Sequence, residues 1–155
     1  EIALQGLVLS LIRDERGLIA SAHDVADGGL AVALVECCVG ARQRAMGASV
    51  NLPSDESVAV QLFGEAPSRV IVSTPAEHAA AVAALAEEAG VPCCVLGETV
   101  ADRLQIEKGK AHGIDLGLAE LADARRRCLE QIVGDETVPG HAGLMGDTGA
   151  GEPTV

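Results

Sequence analysis

The sequence predicts an α+β domain in which a mixed β-sheet packs against helices. Three observations predict it. Helix-like and strand-like segments are interleaved along the chain, which brings both element types into one core. The last two strand-like segments follow one another with no helix between them, which argues against a purely parallel, doubly wound sheet. Apolar residues make up 48% of the 155 positions, and a chain of this length can bury roughly two-thirds of its unfolded surface.

Each element has a local reason. Leu4, Leu7, Val8, Leu11 and Ile12 recur at helical spacing over residues 2–15, ending in the charged run Arg13-Asp14-Glu15-Arg16 and Gly17. Leu18 to Ala22 is an apolar run of strand length, and His23 to Gly29 reads as a polar, glycine-bearing turn. Leu30 to Val39 is too rich in Ala and Leu for a favoured strand and reads as a buried helix. Ser49 to Leu52 alternates like a strand. Ser54 is placed to cap a short helix over 55–63. Arg69 to Ser73 is the strongest strand. An Ala-rich helix follows over 77–89, with Pro75 ahead of it and Gly90 behind it. Val91–Leu96 and Arg103–Ile106 read as strands around a turn at 97–102. Residues 108–113 read as a loop, and Leu118 to about Val133 as a last helix. The domain is therefore expected over 1–134, with a disordered, Gly-rich tail over 135–155.

Composition excludes some functions. Phe63 is the only aromatic residue, so the chain cannot stack bases on rings of its own. Eleven Lys and Arg against 23 Asp and Glu give a formal charge of -12, which repels phosphate backbones; no nucleic-acid partner is expected. Mean hydropathy is +0.29, yet no run approaches the roughly 20 apolar residues of a membrane span, so no membrane role is expected. Cys37-Cys38, Cys93-Cys94 and Cys128 lack any C-x-x-C spacing and are expected to be small buried fillers in a reducing cytoplasm. The chain opens at Glu1 without a Met or a signal-peptide pattern and is expected to be part of something longer.

The turn from His23 to Gly29 carries the main chemical expectation. A glycine turn ahead of a buried helix presents backbone N–H groups where the helix dipole favours an anion. Asp24 and Asp27 oppose a bare phosphate and require a cation between them. A purely structural reading, an Asp cap on a glycine turn, stands beside this one. Elsewhere, Glu65 and Arg69 are expected to form a local ion pair, and Lys108, Lys110 and His112 a solvated hairpin tip. His78 is expected at the surface and His141 in the tail. Gly146 to Gly151 lacks the Lys and the flanking elements of a phosphate loop.

Ser21-Ala22-His23-Asp24-Val25-Ala26-Asp27-Gly28-Gly29-Leu30-Ala31-Val32-Ala33-Leu34 resembles the S-A-H-D-V-S-D-G-G-L-A-V-A-L signature of the phosphoribosylformylglycinamidine synthase large-subunit family, in its second, C-terminal AIR-synthase-related domain. Ala26 departs from the usual Ser, which removes one hydroxyl from the turn. Leu62-Phe63-Gly64-Glu65-Ala66-Pro67-Ser68-Arg69-Val70 is similar to that family's L-F-G-E-x-x-x-R segment. Gly97-Glu98-Thr99 ahead of Arg103-Leu104 resembles its strand-turn-strand. The likeness spans about residues 1–133. It implies the fold of the AIR synthase C-terminal domain and a place in purine biosynthesis. The family enzyme uses ATP and magnesium to activate an amide oxygen, and glutamine-derived ammonia displaces phosphate to form the amidine. Its catalytic His, magnesium carboxylates and ATP ligands lie mainly on other domains. The resemblance therefore implies a scaffold and cleft-forming piece, inactive alone, with no catalytic or metal residue and no cofactor of its own. His23, Asp24, Asp27, Gly28 and Gly29 are expected to line a phosphate or nucleotide cleft. The expected partners are the other domains of the same subunit, a glutaminase subunit and a small bridging subunit. Self-association through an uncovered apolar face is a further expectation. The alternative is a non-catalytic nucleotide-binding, phosphate-binding or interaction module sharing the fold. The H-D-V-x-D-G-G form argues against aminoimidazole ribonucleotide synthetase, selenophosphate synthetase and hydrogenase-maturation relatives.

Overall fold

The computed structural model describes residues 1–40, 45–52, 56–109 and 111–133. The chain divides into two compact units, Glu1–Ala122 and Asp123–Val155. The helices are α1 (Ile2–Arg13), α2 (Gly29–Val39), α3 (Val58–Phe63), α4 (Ala79–Glu88) and α5 (Leu118–Val133). The strands are β1 (Ser21–Asp24), β2 (Gly47–Asn51), β3 (Val70–Ser73), β4 (Gly97–Val100), β5 (Arg103–Lys108) and β6 (Ala111–Gly117). The expected mixed sheet is present as four strands in the order β4-β2-β5-β6. β2 pairs antiparallel with β4 and parallel with β5, and β5 pairs antiparallel with β6. β1 and β3 form a separate two-stranded antiparallel ribbon, Ser21 opposite Ser73 and Asp24 opposite Val70.

Four expectations shift. The first strand lies at 21–24 rather than 18–22, because Leu18 is fully buried as a core anchor and the ladder with β3 starts beyond it. His23 and Asp24 therefore sit on a strand and not in the turn. Ser57, not Ser54, caps α3, its side chain accepting from the Val60 N–H; residues 53–55 lie outside the described residues. The strand expected over 91–96 lies at 97–100, where the turn was expected. Gly97 makes that approach possible: a Cβ there would fall 1.8 Å from the Ser49 carbonyl oxygen. The loop expected over 108–113 is instead a hairpin into β6, turned at Gly109 with φ 62° and carrying a register shift at Ile106/Glu107. The tail expected over 135–155 lies outside the described residues.

Two apolar cores form in the first unit. The larger joins α2 (Ala31, Leu34, Cys38), α3 (Leu62), β2 (Val50) and β5 (Leu104, Ile106) with Leu52, Leu118 and Leu121. The smaller joins α1 (Leu7, Leu11) to α4 (Val82, Ala86) around Leu18. Leu62, Leu104 and Ile106 are almost fully buried, each contributing about 1.5–3 kcal/mol of transfer free energy. In the second unit, Asp123 accepts ion pairs from Arg126 and Arg127 along α5.

Candidate functional site

The two segments that carry the resemblance meet at the N-terminal end of α2. Gly28 and Gly29 both adopt left-handed φ, 78° and 68°, which an L side chain reaches only at a cost of about 1–2 kcal/mol. Gly29 has a further constraint, because a Cβ there would lie 2.7 Å from the Leu62 carbonyl oxygen and 3.0 Å from the Phe63 backbone. The glycines thus let α3 lie directly against the turn. The Gly28 N–H donates to the Glu65 carboxylate at 2.9 Å, and the Gly29 N–H donates to the Ala26 carbonyl at 3.0 Å.

An open cleft of about 790 Å³ runs beside this junction, between α1, the segment from Asp24 to Asp27 and the segment from Glu65 to Val70. Leu4, Val8 and Leu9 of α1 supply apolar wall, and Glu1, Asp24, Asp27 and Glu65 bring carboxylates against the single cation Arg69. Arg69 and Glu65 do not pair with each other as expected. Glu65 is drawn to the α2 N-terminus, and the Arg69 guanidinium donates to the Gly64 carbonyl through Nη2. Arg69 Nε is buried without an acceptor, and the neighbouring Ser68 holds φ 62°.

The expected site residues separate into two roles. Asp24 and Asp27 line the cleft. His23 turns elsewhere: Nδ1 lies 2.6 Å from the Asp24 carbonyl oxygen, and Nε2 lies 3.4 Å from Glu36 Oε2 on α2. Gly28 and Gly29 shape the backbone, and their N–H groups are already bonded within the chain. The lining residues by themselves do not fit a nucleotide polyphosphate: four carboxylates face one guanidinium, and the helix N-terminus holds Glu65. Among the described residues no three His, Cys, Asp or Glu side chains come together as a metal-ligand set.

Glu65 and Arg69 were legible only as local partners; the 37-residue reach from Glu65 to Gly28 has no signal in spacing. At the hairpin tip, Lys108 Nζ donates to the Glu56 carbonyl and the Gly109 N–H approaches Asn51 Oδ1 at 3.4 Å. Lys110 lies outside the described residues, and His112 pairs with Glu107 in the ladder. His78 is half-buried in a single 3₁₀ turn, Ala76–His78, ahead of α4. Cys38 is buried and Cys37 half-buried, but Cys93, Cys94 and Cys128 are exposed, against expectation. For Cys93 and Cys94 the reason is the missing strand.

Comparison with known proteins gives a consistent picture. Phosphoribosylformylglycinamidine synthase subunit PurL of Anaeromyxobacter sp. is 40% identical over 153 residues, covering 94% of this chain and 19% of that protein. The same subunit of Nocardioides sp. is 40% identical over 134 residues, covering 86% of this chain and 17% of that protein. The chain thus spans about a fifth of the length of these relatives. Among solved structures, Thermotoga maritima PurL complexed with ATP shares the fold with a TM-score of 0.67 at 21% identity, covering 77% of this chain and 21% of that one. PurLQS from the same organism gives 0.67 with the same coverage. No described helix is long and apolar enough to cross a membrane. Residues 2–109 match the family described as AIR synthase related protein, C-terminal domain, and the chain belongs to that family.

Proposed function

We propose that the chain is the C-terminal domain of a phosphoribosylformylglycinamidine synthase large subunit, acting as scaffold and as one wall of a cleft. The observation that carries this is the junction of the two family-like segments, where Gly29 lies against Leu62 and Phe63 and Gly28 bonds Glu65. In the whole enzyme the reaction is the ATP-dependent conversion of formylglycinamide ribonucleotide and ammonia to the amidine, in the cytoplasm. Magnesium and the nucleotide's protein cations come from the rest of the subunit. Asp24 and Asp27 face that cleft as wall residues, while His23, Gly28 and Gly29 hold the wall's shape. A glutaminase subunit supplies ammonia and a small bridging subunit completes the assembly. The isolated chain, short of these parts, shows no turnover with ATP, substrate and ammonia.

A chimera tests this reading. In the Anaeromyxobacter relative, the C-terminal segment that aligns with this chain is replaced by this chain, and ammonia-dependent amidine formation is measured. Retained turnover is expected. A chimera that is folded and binds nucleotide but makes no amidine overturns the assignment.

A further inference from the structure

The chain contains the dipeptide Cys-Cys twice, in two opposite settings. Cys37-Cys38 lies on α2, where successive side chains diverge by about 100° around the helix axis. Cys38 is 3% exposed and belongs to the larger core, and burial pushes both thiols up from their ordinary value. Cys93-Cys94 lies between α4 and β4, where residues 91–96 form neither helix nor ladder. Both cysteines are exposed, and the neighbouring Val95 is 79% exposed. The segment is pinned at its two ends only, by the Val91 N–H on the Ala86 carbonyl and by the Leu96 carbonyl under the Asn51 N–H, each at 2.8 Å.

A strand would send these two side chains to opposite faces, and a helix would diverge them; this segment imposes neither restriction. Direct oxidation to a disulfide is disfavoured by chain geometry. Consecutive Cα atoms lie about 3.8 Å apart across a trans peptide, short of the roughly 4.4–6.8 Å separation of ordinary disulfides. A single atom bridging the two sulfurs enlarges the ring and relieves that constraint. Soft thiolates select soft, thiophilic centres.

We infer that Cys93 and Cys94 form a vicinal dithiol site for a trivalent arsenical, held by both sulfurs. The step balances without an oxidant. An arsenic(III) oxide group, R–As=O, condenses with two S–H groups; two As–S bonds form, the As=O bond breaks, and the oxygen leaves as water with both thiol protons. Arsenic remains trivalent.

The test uses phenylarsine oxide on the full chain, read by intact mass and by titration of the remaining free thiols. One equivalent is expected to add with loss of one water and to remove two thiols. Ethanedithiol should reverse it and an excess monothiol should not. Cys93→Ser and Cys94→Ser, both at exposed positions, should each weaken binding by roughly a hundredfold, the loss expected when a tethered second contact is removed. Cys38→Ala changes the core, so Cys37→Ser serves as the control and should bind as the parent does. No adduct on the parent chain overturns the proposal. So does an adduct that survives the Cys93→Ser, Cys94→Ser double substitution with unchanged affinity, since it must then rest on Cys37, Cys38 or Cys128.

Discussion

The turn that leaves α1 and the turn that enters α2 use the same materials, a carboxylate and a glycine at positive φ, but close in different ways. At Asp14–Gly17 everything is local. Asp14 accepts from the Arg16 backbone N–H at 2.9 Å and from its guanidinium at 2.9 and 2.8 Å, the Gly17 N–H bonds the Asp14 carbonyl, and a Cβ on Gly17 would meet nothing within 4 Å. At Ala26–Gly29 the carboxylate is Glu65, brought from another segment, and the glycine is walled in by the backbone of α3. The first turn depends on its own sequence. The second exists in this form only when the tertiary fold does, so its glycines carry packing as well as conformation.

Substitutions can break that contrast, beginning with the strongest. Gly29→Ala should cost about 3 kcal/mol or more in urea unfolding, combining left-handed strain with overpacking against Leu62 and Phe63. Gly17→Ala meets only the conformational cost and should lose about 1–2 kcal/mol. Equal losses at the two positions would show that the α3 contact contributes nothing. Glu65→Ala leaves the Gly28 N–H to water and should cost about 1 kcal/mol by the same measurement, whereas Glu65→Gln keeps an acceptor and should cost less. A Glu65→Ala variant as stable as the parent would separate the hydrogen bond from the packing.

The smallest effect concerns pH. Arg16, through hydrogen bonds and charge, lowers the Asp14 carboxyl from 3.8 to about 2. Its folded value lies below the unfolded one, so any stabilisation is present above about pH 4 and is lost as pH falls towards 2. NMR titration should place the Asp14 midpoint near 2, and Arg16→Gln should return it towards 3.8. A midpoint indifferent to Arg16 would remove the local closure from the comparison.

What the sequence made legible follows the same division between local and distant causes. The helical spacing of Leu7 and Leu11, the Ala-rich α4 and the run Val70–Ser73 are local signals, and each marks its element. β6 was hidden because glycines at 113 and 117 interrupt its alternation and its partner is β5. The strand at 97–100 looked like a turn because Gly97 signals a bend in isolation but permits close approach in a sheet. At the site, Asp24 and Asp27 were read from the sequence as lining a phosphate or nucleotide cleft, and in the fold both border the open cleft beside α1. The Glu65–Gly28 bond was not legible, because no local pattern encodes a contact between residues so far apart. His23 was placed by residue type in the turn, and it is the ladder with Ile71 that fixes it on β1 instead.

The register of β2 bears on the order of events during synthesis. Ala48 pairs with Thr99 on one side and with Leu104 on the other, so both neighbours of this strand are made long after it. Parallel, non-local pairing of this kind is slow to nucleate. At a translation speed of roughly 5–20 residues per second, α2 and β2 wait for several seconds with Leu34, Cys38 and Val50 lacking the β5 side chains that cover them. A ribosome-stalled chain ending shortly after residue 96 is therefore expected to bind a hydrophobic dye or a chaperone, and one long enough to expose β5 outside the exit tunnel to release it.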